Sequence, residues 1–239
     1  MMELTVLIPA FNEEKRLPQT LEEIRPYLDR KFQDYEVIIV DDGSKDRTVE
    51  VCFDYAKQWP QLRCISGNPH QGKGACVKRG CLQAMGENIL VMDADHAIRI
   101  ENIENMLFAR KKGFDVVAGT RTFTGDEGEY GLGRRIIGLI QLLLAHLIVF
   151  QKPVTDSQCG YKLFSLQSAK QIFSRTMIRG AMYDVEALFL AQKFGFSVYA
   201  QSVEWANKPG STNNIPLCIF TSPFELFTIR ILDVLGKYK

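Results

Sequence analysis

Two aspartates one residue apart, Asp93-Ala94-Asp95, stand directly after the apolar run Asn88-Ile89-Leu90-Val91-Met92. A buried strand ending in such a pair delivers two carboxylates where the element reaches solvent, and in extended geometry both point to one side. Converging carboxylates repel unless a divalent cation lies between or near them, and hard oxygen ligands of this kind suit Mg2+ or Mn2+. Asp93 and Asp95 are therefore the metal candidates. Taken alone, the motif also reads as an ordinary turn with a capping Asp.

Three more polar clusters follow apolar runs in the same way. Pro9-Ala10-Phe11-Asn12-Glu13 comes after residues 4–8, and Asp41-Asp42-Gly43-Ser44 after residues 35–40. The second cluster is rich in turn formers, and Asp46 suits the N-cap of a following helix. An acceptor-only carboxylate at Asp41 would also receive the ring N–H of a uracil or guanine, so two readings stay open. The third, His70-Gln71-Gly72-Lys73-Gly74, nearly completes a phosphate-loop signature with Gly67. Gly74 stands where a Ser or Thr would hold magnesium, which disfavours an NTPase. A Gly-flanked Lys73 at a helix start still offers phosphate a positive charge, with free backbone N–H groups beside it.

The elements needed to hold these clusters are legible as an alternation. Residues 4–8, 35–40, 62–66, 88–92 and 114–118 read as strands, and residues 17–27, 48–59, 74–84 and 100–111 carry apolar residues at helical spacing between them. That order predicts a doubly wound α/β core with a mainly parallel sheet flanked by helices. Ligands of such sheets bind outside the carboxyl ends of the strands, where all four clusters fall. After Gly119 the alternation gives way to a Gly- and acid-rich loop over 120–133, an apolar helix over 136–150, a strand over 161–165 and a helix over 184–193. A loop over 207–216 and a helix over 223–235 complete the chain. No linker separates these parts, so one domain over 1–239 is expected, divided where the alternation breaks into the halves 1–119 and 120–239.

Composition sets the outer limits. The chain has 46% hydrophobic and 24% charged residues, as an ordinary globular protein has, and its net charge of +1 provides no field to draw it onto nucleic acid. Six scattered cysteines lack any CxxC spacing and read as buried free thiols in a reducing compartment. A strand begins at Leu4 without a charged leader, which points to a cytoplasmic chain. The apolar run 136–150 spans about 22 Å as a helix at ~1.5 Å per residue, short of a hydrocarbon core of roughly 30 Å. His70, His96 and His146 form no metal set, and the first turn lacks the G-x-G-x-x-G of a nicotinamide dehydrogenase.

In order and spacing, Val6-Leu7-Ile8-Pro9-Ala10-Phe11-Asn12-Glu13-Glu14, Val40-Asp41-Asp42-Gly43-Ser44, Gly72-Lys73-Gly74 and Asp93-Ala94-Asp95 resemble the family 2 glycosyltransferases. Gly119-Thr120-Arg121, the stretch Asp156-Ser157-Gln158-Cys159-Gly160-Tyr161-Lys162-Leu163-Phe164, and Tyr183-Asp184-Val185-Glu186 resemble the branch that makes polyprenyl-phosphate sugars, most of all the dolichyl-phosphate beta-glucosyltransferases. The resemblance implies the GT-A nucleotide-diphospho-sugar transferase fold, Rossmann-like, and a metal-dependent hexosyltransferase. It implies a nucleotide pocket of Pro9, Ala10, Phe11, Asn12, Glu13, Ile39, Asp41 and Asp42, with Lys73, Asp93 and Ala94 at ribose or diphosphate. Asp95 would be the principal metal ligand and Arg121 would face the phosphates. Ala97 stands where mannosyltransferase relatives place a Gln in the metal shell, which favours glucose and UDP and leaves that shell one protein ligand short. Thr212 stands where relatives carry a lysine, so either Lys208 takes over its phosphate contact or the contact is absent.

Arg134 and Arg135 precede the apolar helix, and a cationic pair beside a greasy face is what a phosphate on a long isoprenoid requires. The same features also fit a core helix with two solvated arginines at its start. On the first reading Leu143 and Ile148 face lipid, and the protein is peripheral at the cytoplasmic face of a membrane. A phosphate acceptor is already ionised near neutral pH, so a single inverting displacement needs no dedicated base, and metal, Lys73 and Arg121 would stabilise the departing UDP. Gln158, Asp184 and Glu186 would orient the hexose or a loop; for the two acids, a favourable place at a helix N-terminus is an equal reading. The rival reactions are GDP-mannose-dependent transfer to the same lipid and transfer to a saccharide.

Overall fold

The computed structural model describes residues 2–67, 69–123, 132–150, 152–206 and 215–239 and, of 123, 132–137 and 215–220, the backbone alone. The N-terminal alternation gives β1 (Leu4–Ala10), α1 (Leu17–Lys31), β2 (Tyr35–Asp41), α2 (Thr48–Gln58), β3 (Leu62–Ile65), α3 (Lys73–Gln83) and β4 (Asn88–Val91). A 3-10 turn (Ile100–Asn102) leads into α4 (Ile103–Lys111), where one helix was expected. There follow β5 (Val116–Phe123), α5 (Leu132–Ile148), β6 (Lys162–Ser165), α6 (Leu166–Arg175), α7 (Tyr183–Lys193), β7 (Val198–Trp205) and α8 (Ile215–Val234).

The strands form one sheet in the order β3-β2-β1-β4-β6-β5-β7. β6 runs antiparallel to both neighbours and every other pairing is parallel, as the mainly parallel prediction required. Strand order reverses between β1 and β4, so the crevice at their carboxyl ends is the topological switch point of the sheet. Side-chain alternation divides the core between the two faces. Leu7, Ile38, Val40, Ile89 and Val91 pack on one side with residues of α3, α6 and α7. Val6, Ile8, Val37, Ile39 and Leu90 pack on the other with residues of α1 and α4. Burial on both faces explains why these strands read as unbroken apolar runs.

Beyond β5 the sequence expectations need correction. β5 continues to Phe123, through residues expected in a loop, because it pairs over its whole length with β7. Neither α6 nor β7 was expected. α8 starts at Ile215, so Pro223 lies inside the helix. α5 and α8 pack together, with Gln141 Nε2 donating to Ser222 Oγ at 3.0 Å, and each turns apolar side chains to solvent. Leu139, Leu143 and Leu147 of α5 and Phe224, Phe227 and Ile231 of α8 are all more than half exposed. Ile148 was expected on that face but packs against the core. Among the described residues no helix is long and apolar enough to cross a membrane. Cys52, Cys76, Cys81 and Cys159 are buried and Cys64 half-buried, all as free thiols.

Candidate active site

The first two strand-end loops are laced to each other. Asn12 takes a left-handed backbone, φ 55°, which asparagine tolerates better than most residues. Its N–H donates to Ser44 Oγ at 2.9 Å, and its side-chain oxygen receives Lys45 N–H at 2.8 Å. Next along, Glu13 N–H donates to Thr48 Oγ1 at 2.7 Å and Glu14 N–H to Asp46 Oδ2 at 3.1 Å. Asp41 is buried, and its carboxylate receives Gly43 N–H at 3.0 Å and Ser44 N–H at 3.1 Å, which closes its own turn. Phe11 stacks on His70, ring centroids 4.4 Å apart, at the entrance to this pair of loops.

Asp42, expected to touch the nucleotide, instead faces the third loop. Its two oxygens receive Gln71 N–H at 2.8 Å and Gly72 N–H at 2.9 Å, and His70 Nδ1 lies 2.9 Å away. Gly72 has φ 103°, and a Cβ on it would lie 2.4 Å from the carbonyl oxygen of Arg179, so only glycine fits there. Gly74 N–H donates to that same carbonyl at 2.9 Å, and Ala75 N–H donates to Gly72 O at 3.0 Å. The N–H groups of 71, 72, 74 and 75 are thus already satisfied within the protein. The expected backbone cradle for phosphate is therefore not open there, and the loop's contribution is the positive charge of Lys73.

Lys73 Nζ donates to Asp93 Oδ1, with both side chains part-buried at the rim. β4 ends at Val91, so Asp93 and Asp95 leave it in a turn and not in the extended geometry expected. Asp95 Oδ1 receives Ala97 N–H at 3.0 Å, and Thr20 Oγ1 donates to Ala94 O at 2.7 Å. His96 locks the turn from behind, at φ 50°. Its Nε2 receives Ile100 N–H at 2.9 Å, so in the neutral ring Nδ1 carries the proton and donates to Glu23. Beside that turn a cavity of about 420 Å3 opens between Glu23, His96, Ala97, Arg99, Glu101 and Ala206.

The charges at the rim are unequal. Desolvation works against the charge on Asp93, but Lys73, with Lys162 and Arg121 beyond it, outweighs it and holds the carboxyl below its ordinary range. Asp95 goes the other way: burial raises it and the neighbouring charge of Asp93 raises it further. Burial also raises Glu13, and Asp95 and Asp93 add to the rise against the pull of Arg16. Three carboxylates thus share one field, and a hard cation beside Asp93 and Asp95 would relieve it. Among the described residues no third His, Cys, Asp or Glu completes a metal-binding group, so bound water or substrate oxygens would fill the other positions.

Behind the rim lie two pairs that only the folded chain makes visible. Arg121, expected to face phosphates, forks onto Asp156, Nε to Oδ2 at 2.8 Å and Nη2 to Oδ1 at 3.0 Å. Lys162 and Asp184 are buried together, Nζ to Oδ1 at 2.6 Å. Gly160 approaches so closely that a Cβ would lie 2.3 Å from Asp93 Oδ2. Lys162 and Asp156 were missed as site residues, although both fall in the quoted stretch 156–164; a lysine inside an apolar strand was the available signal. Gln158 sits half-buried with Nε2 3.7 Å from Met182 Sδ. Glu186 is fully buried and receives Met177 N–H at 2.8 Å, Ile178 N–H at 2.9 Å and the Tyr238 hydroxyl at 2.5 Å. It orders a loop and is closed off from any ligand. Ile39 and Ala10 belong to the core, their side chains buried on the α1 face below the rim. Lys208 and the side chains of Arg134 and Arg135 lie outside the described residues.

Comparison with known proteins identifies the family and the fold. The model of the family Glycosyl transferase family 2 matches residues 5–176. A dolichyl-phosphate beta-glucosyltransferase of Trichomonas vaginalis is 33% identical over 99% of this chain and 75% of its own length. The Homo sapiens dolichyl-phosphate beta-glucosyltransferase is 32% identical over 87% of this chain and 69% of its own. In architecture the chain is similar to glucosyl-3-phosphoglycerate synthase of Mycobacterium tuberculosis, solved with phosphoglyceric acid. The TM-score is 0.68 at 17% identity, over 96% of this chain and 80% of that one. It is also similar to the same enzyme with Mn2+, UDP and glucosyl-3-phosphoglycerate, TM-score 0.65 at 15% identity, over 96% of this chain and 80% of that one. Matched by that family model from β1 into α6, with the strand-end loops and the carboxylate pair inside the match, the chain belongs to glycosyl transferase family 2.

Proposed function

We propose that the chain transfers glucose from UDP-glucose to a dolichyl or related polyprenyl phosphate, with inversion at the anomeric carbon. The observation that carries the reading is the rim at the switch point, where Asp95, raised by burial and by the charge of Asp93, stands beside the Lys73 and Asp93 pair. The likeness to dolichyl-phosphate beta-glucosyltransferases, over 87–99% of this chain, supports the donor and the acceptor. The half 1–119 would hold the nucleotide between Phe11, Glu13 and Asp41, and the half 120–239 the acceptor. Asp93 and Asp95 would hold Mg2+ or Mn2+, and such a cation neutralises charge on a leaving diphosphate. Lys73 would take up a diphosphate oxygen as the glycosidic bond breaks.

The acceptor phosphate attacks as an ionised oxygen, so no side chain need remove a proton. Asp184 fits that reading, since it is buried and paired with Lys162 and so is ill placed to serve as a base. Arg134, Arg135 and Lys208 are the cations proposed for the acceptor phosphate, since Asp156 already occupies the Arg121 fork. The exposed apolar face of α5 and α8 supports peripheral seating on a membrane, with the isoprenoid chain running into it. The test is transfer to a short polyprenyl phosphate with Mn2+, offering UDP-glucose and GDP-mannose in parallel, with Asp95→Ala as the blank. Product from UDP-glucose alone, absent in the blank and inverted in configuration, is expected. Product from GDP-mannose alone, or a retained configuration, refutes the reading. Leu143→Glu with Leu147→Glu should abolish binding to phospholipid vesicles while leaving the fold intact.

A further inference from the structure

Helix α7 starts with Met182 at its N-cap position, and methionine has no oxygen to offer the open N–H groups of a first turn. The missing acceptor comes from another helix. Met182 N–H donates to Glu225 Oε2 of α8 at 2.9 Å, which also sets a carboxylate at the positive end of the α7 dipole. Gly180 lies against the same group, so close that a Cβ would fall 1.9 Å from Glu225 Oε1. Glu225 is half-buried, Phe224 and Phe227 of the same helix are exposed, and among the described residues no cation pairs with it.

The segment it holds leads straight to the donor loop. The Arg179 carbonyl receives Gly74 N–H and fills the place of a Gly72 Cβ, while a Gly74 Cβ would meet Tyr183 Cβ at 2.6 Å. Tyr183, first residue of α7, puts its ring 5.8 Å from Lys73 Nζ. Glu186 and Lys78 secure the near end of the segment at 176–178, and Glu225 reaches its far end from α8.

We propose that Glu225 is a positioning residue for the donor site: from α8 it caps α7 and presses residues 179–183 onto Gly72 and Gly74, which aims Lys73 at the rim. The proposal rests on the reading that Lys73 meets the donor diphosphate. It ties grip on the donor to the helix whose outer face is apolar.

The test compares Glu225→Ala, Glu225→Gln and Gly180→Ala, each checked by circular dichroism and thermal melting. Glu225→Ala should raise the KM for UDP-glucose about tenfold, the worth of one charge-assisted hydrogen bond, and leave the KM for the polyprenyl phosphate unchanged. Glu225→Gln keeps an oxygen for Met182 N–H but loses the charge, and should recover part of the donor KM, giving a value between those of wild type and Glu225→Ala. Gly180→Ala displaces the Glu225 carboxylate sterically and should reproduce the donor defect, which carries the test should the truncation fail to fold. A purely structural role would instead lower the melting temperature and the active fraction with the donor KM constant, and that outcome overturns the proposal. Calorimetric affinity for UDP with Mn2+ reads the same loss without turnover. A wild type that binds UDP but does not transfer would therefore sink the transfer reading and still decide the role of Glu225.

Discussion

Lys162→Met removes the charge from a pair whose side chains are 2% and 7% exposed, and leaves Asp184 inside the protein with no cation in contact. Breaking one side of a buried ion pair costs ~3–5 kcal/mol, because the surviving charge keeps its desolvation penalty without compensation. For a chain of this size each kcal/mol moves the melting temperature by ~2–4 °C, so a drop of about 10 °C is expected. The sign of the pH dependence is fixed too. Burial already pushes the Asp184 carboxyl above its ordinary range, with Lys162 and then Lys73 pulling it down, so losing Lys162 pushes it higher. A carboxyl whose folded pKa exceeds its unfolded one holds a proton that the unfolded chain gives up, so stability falls as pH rises through that window. The deficit relative to wild type should be greatest at neutral pH and shrink toward the ordinary carboxylate range. Urea unfolding from pH 4 to pH 8 measures it, and Asp184→Asn added to Lys162→Met should recover most of the loss. A deficit below about 1 kcal/mol, or one flat across pH, would refute a buried, mutually dependent pair.

Two other substitutions test the rim. Asp42→Ala leaves the N–H groups of Gln71 and Gly72 without their acceptor, so the Lys73 loop should loosen and the UDP-glucose KM rise by about tenfold or more, read by steady-state kinetics. Gly160→Ala drives a methyl into Asp93 Oδ2, and since the carboxylate must turn away, transfer should fall by more than about tenfold with the fold preserved by circular dichroism.

How far this was legible in the sequence follows from what each residue depends on. The strand ends were readable to within two residues, at 8, 40 and 92 against Ala10, Asp41 and Val91, because strands buried on both faces leave apolar runs, and polar clusters mark where the runs stop. β7 was not, because it lies at the sheet edge with Val203 as its one buried residue, so no apolar run announces it. α6 is short and follows Ser165, the last residue of β6, whose side chain caps it by receiving Ser168 N–H, a signal that the preceding strand obscured. The site divides in the same way. Asp93, Asp95 and Lys73 stand in motifs with their own local logic, whereas Asp42, Glu186 and Arg121 were given ligand roles that the folded chain fills with protein partners. Their partners lie 29, 8 and 35 residues away or more, and no spacing rule anticipates which groups meet across such loops.

The pairing of Lys73 with Asp93 has a further consequence for the order of binding. A cation arriving alone must share Asp93 with a lysine already in contact with it, at a rim where the two positive charges oppose each other. A cation arriving with a diphosphate meets a different site, because the diphosphate oxygens offer Lys73 a new partner as Asp93 is released. Mn2+ and UDP should therefore bind cooperatively, each improving the affinity of the other by the same factor, about tenfold if one part-buried charge contact is exchanged. Lys73→Ala should reverse half of this: Mn2+ alone should bind more tightly than to wild type, and UDP should gain less from its presence. Isothermal titration of each ligand with and without the other measures both terms. Equal Mn2+ affinity in the presence and absence of UDP would mean that Lys73 does not compete for Asp93, and the rim pair would then be a resting contact without a part in donor binding.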